Sequence, residues 1–202
     1  SAIAVGLNFT VGIMSDPNPG TGYIRTWGEG GDGALGNGSF QDKNVPGQIS
    51  VGTSWTWSKI AAGKKHVIAL KSDGSIWVWG SNQYGQLGDG TTAHSSTPVL
   101  VKNIDNASLV SAGTYHNCAV LTDGGIKCWG WGLGYGASGS NSSPTSISGI
   151  SSAISVSSGV GEISIQGTCA VLSDRTVKCW GNLYLGNGLT SGSNSPVTAT
   201  GI

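Results

Sequence analysis

One hairpin phrase recurs four times along this chain, and only a fold that uses the same unit four times can accommodate it. The fullest copy is His116-Asn117-Cys118-Ala119-Val120-Leu121-Thr122-Asp123-Gly124-Gly125-Ile126-Lys127-Cys128-Trp129-Gly130. It returns as Cys169-Ala170-Val171-Leu172-Ser173-Asp174-Arg175-Thr176-Val177-Lys178-Cys179-Trp180-Gly181. Cysteine-free versions run from His66 to Gly80 and, more loosely, from Phe9 to Gly28. The closing pairs Trp27-Gly28, Trp79-Gly80, Trp129-Gly130 and Trp180-Gly181 are spaced 52, 50 and 51 residues apart. That period belongs to blade-like repeats, each too small to bury its apolar face without a neighbour. Three more landmarks keep the phase. A small-residue step ending at Gly6, Gly63, Gly113 or Gly159 precedes each hairpin, a Gly-rich stretch follows it, and Pro46, Pro98, Pro144 and Pro196 lie beyond.

Each unit reads as short strands. Ile76 and Val78 alternate with Trp77 and Trp79, and Val67-Ile68-Ala69-Leu70 precedes them across Ser72-Asp73-Gly74. That triplet suits a three-residue hairpin loop with its glycine in the left-handed region. No segment carries about ten residues of helical periodicity. With 35 glycines and only 10% charged residues, the chain reads as all-β and turn-rich. It forms a single repeat domain, 1–202, with repeats at approximately 1–55, 56–106, 107–151 and 152–202.

The second unit carries the fullest set of landmarks: Ala61-Ala62-Gly63, His66, Leu70, Ser72-Asp73-Gly74, Val78-Trp79-Gly80-Ser81-Asn82 and Tyr84-Gly85-Gln86-Leu87-Gly88. These residues resemble the regulator-of-chromosome-condensation repeat, and the likeness covers all four units. It implies β-propeller blades of four antiparallel strands each. Two units depart from the pattern: Ser15 to Gly22 replaces the first hairpin loop, and Arg175 occupies the left-handed glycine position of the fourth. Propellers of that family close with about seven blades. Four units therefore make a piece of a longer propeller, a small ring, or part of an assembly of several copies. Head-to-tail pairing of identical chains would cover the unpaired strand edges at the two ends, closing into a ring or continuing as a filament, and stands level with the longer-propeller reading.

The cysteines bear on compartment. With Thr122-Asp123-Gly124 as the loop, Leu121 faces Gly125, and counting back sets Cys118 opposite Cys128 at a non-hydrogen-bonded site, where side chains approach most closely. Cys169 stands opposite Cys179 in the same way. Two pairs in register point to disulfides and an oxidising compartment. Buried thiols are the alternative, because Ile68 and Val78 hold the same places in the second unit. The expected location is extracellular or at the cell surface. No stretch of about 20 apolar residues is present to span a membrane.

Catalytic chemistry finds little support. His66 and His116 occupy equivalent repeat positions, which fits a hairpin hydrogen bond better than catalysis. Asp73, Asp123 and Asp174 recur in the turn, where a carboxylate accepts from backbone N–H groups. The glycines of Gly28 to Gly33 lack the Lys-Ser/Thr ending of a phosphate loop. No cofactor or metal is expected. Binding fits better. Trp27, Trp79, Trp129 and Trp180 recur in phase as blade core, whereas Trp55, Trp57 and Trp131 stand outside that register and are candidate interface anchors, joined by Tyr84, Tyr135 and Tyr184. The formal net charge is zero and Lys64-Lys65 is an isolated basic pair, which argues against a nucleic-acid partner.

Founding nuclear members of the family bind chromatin and promote nucleotide exchange on a small GTPase. That role needs a basic face and a reducing compartment, and neither matches these residues. The expected function is non-catalytic protein–protein contact outside the cell, with self-assembly into a ring or filament as one form of it. The alternative is a secreted inhibitor or adhesin module that binds a foreign protein or glycan.

Overall fold

The computed structural model describes residues 1–15, 22–51, 56–133, 139–161, 167–182 and 184–201. Among them every regular element is a strand. The first blade holds β1 (Ala2–Val5), β2 (Phe9–Ser15), β3 (Gly22–Gly28) and β4 (Lys43–Gln48). The second holds β5 (Trp57–Ala62), β6 (His66–Lys71), β7 (Ile76–Gly80) and β8 (Ser95–Leu100). The third holds β9 (Ala107–Ala112), β10 (His116–Leu121), β11 (Ile126–Trp131) and β12 (Ser140–Ser146). The fourth holds β13 (Ala153–Ser158), β14 (Gly167–Leu172), β15 (Val177–Gly181) and β16 (Ser193–Thr198). Each blade is an antiparallel meander of four strands in chain order, with the recurrent hairpin as its central pair.

Short-range chemistry explains the hairpin. Asp73, Asp123 and Asp174 each accept a backbone N–H two residues on, from Ser75, Gly125 and Thr176 at 3.0, 2.8 and 2.9 Å. Gly74 and Gly124 follow in the left-handed region, and Arg175 adopts the same conformation at φ 72°. The Trp-Gly ending also acquires a physical meaning. In every blade the ladder to the fourth strand slips at this point, and the glycine takes a positive φ of 102–126°. A Cβ on Gly80 would stand 2.5 Å from the Lys65 carbonyl, so only glycine allows the strand to bend here.

The first strands form the hub, with β5 between β1 and β9, and β9 against β13. Backbone bonds step from blade to blade along it: the Leu7 amide donates to Lys64 at 3.0 Å, Lys64 to Thr114 at 3.4 Å, and Thr114 to Gly159 at 3.3 Å. The fourth strands lie outermost and carry Pro46, Pro98, Pro144 and Pro196 on open edges, where a missing N–H is tolerated.

The core is three apolar layers, one between each pair of adjacent blades. Val11, Ile13 and Ile24 of the first blade meet Val67, Ala69 and Trp79 of the second. Ile68, Leu70, Ile76 and Val78 then meet Ala119, Leu121 and Trp129 of the third. Cys118, Val120, Ile126 and Cys128 meet Ala170, Leu172 and Trp180 of the fourth. In the first two layers the tryptophan is locked in one geometry. Trp79 Nε1 donates to the Ala34 carbonyl at 2.9 Å and Trp129 Nε1 to the Gln86 carbonyl at 2.8 Å. The rings lie over Gly36 and Gly88, where an added Cβ would stand 2.7 and 2.8 Å from the indole nitrogen.

Two expectations need correction. Trp27 is only half-buried, whereas Trp79, Trp129 and Trp180 are buried against the blade before them. The histidines bond across blades and not within their own hairpins: His66 Nε2 meets Asn117 Oδ1, and His116 Nε2 meets Thr168 Oγ1, both at 3.0 Å.

Candidate protein-interaction site

Of the aromatic candidates, the structure brings Tyr84 and Trp131 together, with ring centroids 5.2 Å apart. Tyr115 completes the group, edge-on to Tyr84 at 5.0 Å and 72°. The three rings are half-buried, each offering part of its surface to solvent. Trp57 lies elsewhere: it is 8% exposed and packs in the layer between the first two blades. Tyr184 is 72% exposed on the fourth blade, away from the group. Trp55 and Tyr135 fall outside the described residues.

The group is held by backbone and amide chemistry. Tyr84 sits in the Gly-rich loop after β7, whose turns close through Gly85 to Asn82 and Gly88 to Gly85. Asn82 is fully buried and fastens the loop on both sides, its Oδ1 accepting from Leu87 and its Nδ2 donating to the carbonyls of Thr91 and Ala93. Trp131 ends β11, and its amide donates to the Tyr115 carbonyl at 2.9 Å. Aromatic rings on so fixed a frame lose little freedom on binding a partner.

Polar chemistry adjoins the rings. Lys64 Nζ donates to the Tyr115 hydroxyl at 3.2 Å and stands 5.5 Å from its ring centre. Beside it opens a polar cleft of about 240 Å³ lined by Asp32, Lys65, Gln83 and Thr114 among others. Lys65 spans the acidic groups there, 2.9 Å from Asp32 and 3.3 Å from Glu29. The hydrogen bond to Asp32 is the main reason the Lys65 pKa is raised, and the Asn8 amide followed by Lys65 lowers that of Glu29. These side chains are more than a quarter exposed, so the pairs orient the cleft and add little stability. His94 Nδ1 accepts from the Asn82 amide at 3.2 Å.

A second cleft, of about 380 Å³, runs along the hub between Val5, Leu7, Gly63 and Val160. It is apolar and shallow. Among the described residues no three His, Cys, Asp or Glu side chains converge on a metal-sized space. The cysteines are joined, Cys118 to Cys128 and Cys169 to Cys179, with Cα atoms 4.1 Å apart in both pairs. Among the described residues no helix is long and apolar enough to cross a membrane.

Repeat length, blade topology and tryptophan lock together specify a repeat family, and the comparisons agree. The regulator of chromosome condensation (RCC1) repeat matches at residues 22–70 and 73–120, and a second pattern of the same description matches at 57–86 and 108–136. The chain belongs to the RCC1-repeat family. Its relatives include the ultraviolet-B receptor UVR8 of Arabidopsis thaliana, 30% identical across 96% of this chain and 44% of the receptor. Among solved structures, human WBSCR16 superposes on the whole chain with a TM-score of 0.83 at 19% identity, covering 53% of that protein. Yeast Prp20p, whose binding to Gsp1p and histones has been described, superposes on 99% of the chain with a TM-score of 0.79 at 20% identity, covering 50% of that protein. This RCC1-repeat chain thus spans about half the length of these relatives.

Sequence reasoning missed Tyr115. In the second blade the equivalent position is Lys65, so the repeat itself gives no signal there. Only the loop after β7, folding back over the third blade, makes Tyr115 part of a surface.

Proposed function

We propose that this RCC1-repeat chain acts by protein–protein contact outside the cell, through the aromatic group of Tyr84, Tyr115 and Trp131 and the polar cleft beside it. The observation that carries this reading is the group itself: three rings in mutual contact on fixed backbone, flanked by Lys64 and by hydrogen-bonding side chains. Interface anchors combine aromatic area with nearby polar groups in this manner. The extracellular part of the reading rests on the two cysteine pairs, since such bridges persist in oxidising compartments. Assembly with further copies is its finer form.

The test is affinity capture with covalent crosslinking from the surface and medium of the source cells. A bound protein retained by the wild type and lost with Tyr84→Ala, Tyr115→Ala and Trp131→Ala combined, at unchanged circular dichroism, is the expected result. Equal retention by the triple variant rejects the site. Intact mass of the protein recovered from those cells tests the location: two bridges lower the mass by four hydrogens, and a fully reduced chain overturns it.

A further inference from the structure

The polar cleft beside the aromatic group is enclosed by three blades of this chain. The loop after β3 supplies Asp32, the β5–β6 turn Lys64 and Lys65, the loop after β7 Gln83 and Gln86, and the β9–β10 turn Tyr115. Backbone bonds tie these segments to one another: the Ser81 amide donates to Lys65 at 2.8 Å, and the Lys64 amide to Thr114 at 3.4 Å. The space is about 240 Å³. Pockets for drug-sized ligands run to about 300–1,000 Å³, so this one takes a single ring and not an extended molecule.

Its fixed charges cancel. Lys65 is held between Asp32 at 2.9 Å and Glu29 at 3.3 Å, and with Lys64 it balances those two carboxylates. An ionic guest would lose its hydration there without meeting a net countercharge. What the walls do offer is hydrogen bonding of both senses. The Tyr115 hydroxyl accepts from Lys64 at 3.2 Å, so its own proton is left to donate. Gln86 is 1% exposed, and its Oε1 accepts from the Tyr84 amide at 2.8 Å, which fixes the side chain with its Nε2 donor turned away from that amide. Asp32 keeps acceptor capacity beyond its pair with Lys65, and Gln83 adds an exposed amide with both functions. A hydroxyl group both donates and accepts, which is the chemistry such a mixed lining satisfies. The Tyr115 ring forms part of the same wall and leads on to Tyr84 and Trp131. The electron-rich faces of these rings attract the polarised C–H bonds on the apolar side of a sugar ring.

We propose that this cleft binds one uncharged pyranose ring, with its hydroxyls on Tyr115, Gln86 and Asp32 and its C–H face against the aromatic group. Uncharged sugars unite the properties the lining selects: a single ring, no net charge, and donor–acceptor hydroxyls beside an apolar face. An Asn or Gln side chain of a partner matches the lack of charge but brings no apolar ring face to the aromatics. A phosphorylated or acidic group meets Asp32 and Glu29. The site rests on the protein-contact reading for its location and deepens it, because the partner met outside the cell is then a glycosylated one.

Saturation-transfer NMR of the oxidised chain tests it, with the methyl glycosides of glucose, galactose, mannose, fucose and N-acetylglucosamine as probes and methyl glucuronide as the charged comparison. The expected result is transfer to the ring C–H protons of at least one neutral glycoside, weaker transfer to the uronide, and amide shifts confined to the segments that line the cleft. Tyr115→Phe keeps the ring and removes the hydroxyl, so the affinity should fall about fivefold, the loss of one neutral hydrogen bond. Asp32→Asn keeps the shape and leaves a surplus positive charge, so the preference should move to the uronide. Absence of transfer to every neutral glycoside overturns the proposal. So does binding that both variants leave unchanged, or a wild type that prefers the uronide. The capture experiment separates the two readings. A partner retained after enzymatic removal of its glycans, with a silent sugar titration, sinks the sugar site and leaves protein contact standing. Sugar binding with no captured protein does the reverse.

Discussion

At the scale of single residues, the glycines under the tryptophans are the least replaceable positions. Gly88 combines φ 65° with an indole 2.8 Å from any added Cβ, so Gly88→Ala incurs both backbone strain and a steric clash with Trp129. We expect a loss of about 2–3 kcal/mol, read from the shift of the urea midpoint. Gly186→Ala, with similar φ and its nearest neighbour Ala199 at 3.1 Å, should lose about 1 kcal/mol. Equal losses would show that φ alone decides. His66 governs the response to acid. Burial pushes its pKa from 6.5 down to about 4, helped by His116 and opposed by the Asn117 bond. Between these values the unfolded chain takes up a proton that the native state refuses, so stability rises with pH across that window. The contribution is complete above pH 6.5 and lost by pH 4, a span worth roughly 3 kcal/mol. His66→Gln retains an amide donor for Asn117 and should flatten the fall in urea midpoint between about pH 7 and about pH 5. An unchanged slope would assign it to other groups.

At the scale of elements, the two bridges sit in different surroundings. Cys118 and Cys128 are 0% exposed between the third and fourth blades, while Cys169 is half-buried on the open face. Protein titrated with reductant and analysed by intact mass should therefore open Cys169–Cys179 first, and simultaneous opening would contradict the assigned burial. Each bridge closes a short loop and contributes about 2–3 kcal/mol. The hairpins that hold them were readable in advance. Loop length set the register of Cys118 with Cys128, and the in-phase tryptophans marked the strand that enters the preceding blade. The aromatic surface was much less readable. Trp129 and Trp131 are two residues apart, which ordinary strand alternation places on one face. The slip at Gly130 breaks that alternation, so Trp129 is buried while Trp131 meets Tyr84. Trp57 was ambiguous for a related reason. The ladder from β5 to β6 slips between Trp57 and Lys59, which turns the ring into the core.

At the scale of the whole molecule, stability should decline from the centre to the ends. The second and third blades are covered on both faces, the first and fourth on one. Amide hydrogen exchange should show strongest protection in β6, β7, β10 and β11 and weakest in β1 and β16. Uniform protection would indicate a single cooperative unit insensitive to the open faces.

The tryptophan lock also bears on how such chains change over generations. The second repeat encodes both an indole that addresses the unit before it and a glycine that receives the indole of the unit after it. A tandem duplication of one repeat in the gene therefore copies both halves of a working contact, and a deletion removes both together. Repeat number can drift without any new interface having to be invented, and lineages built on this unit should differ more readily in blade count than in the residues between blades.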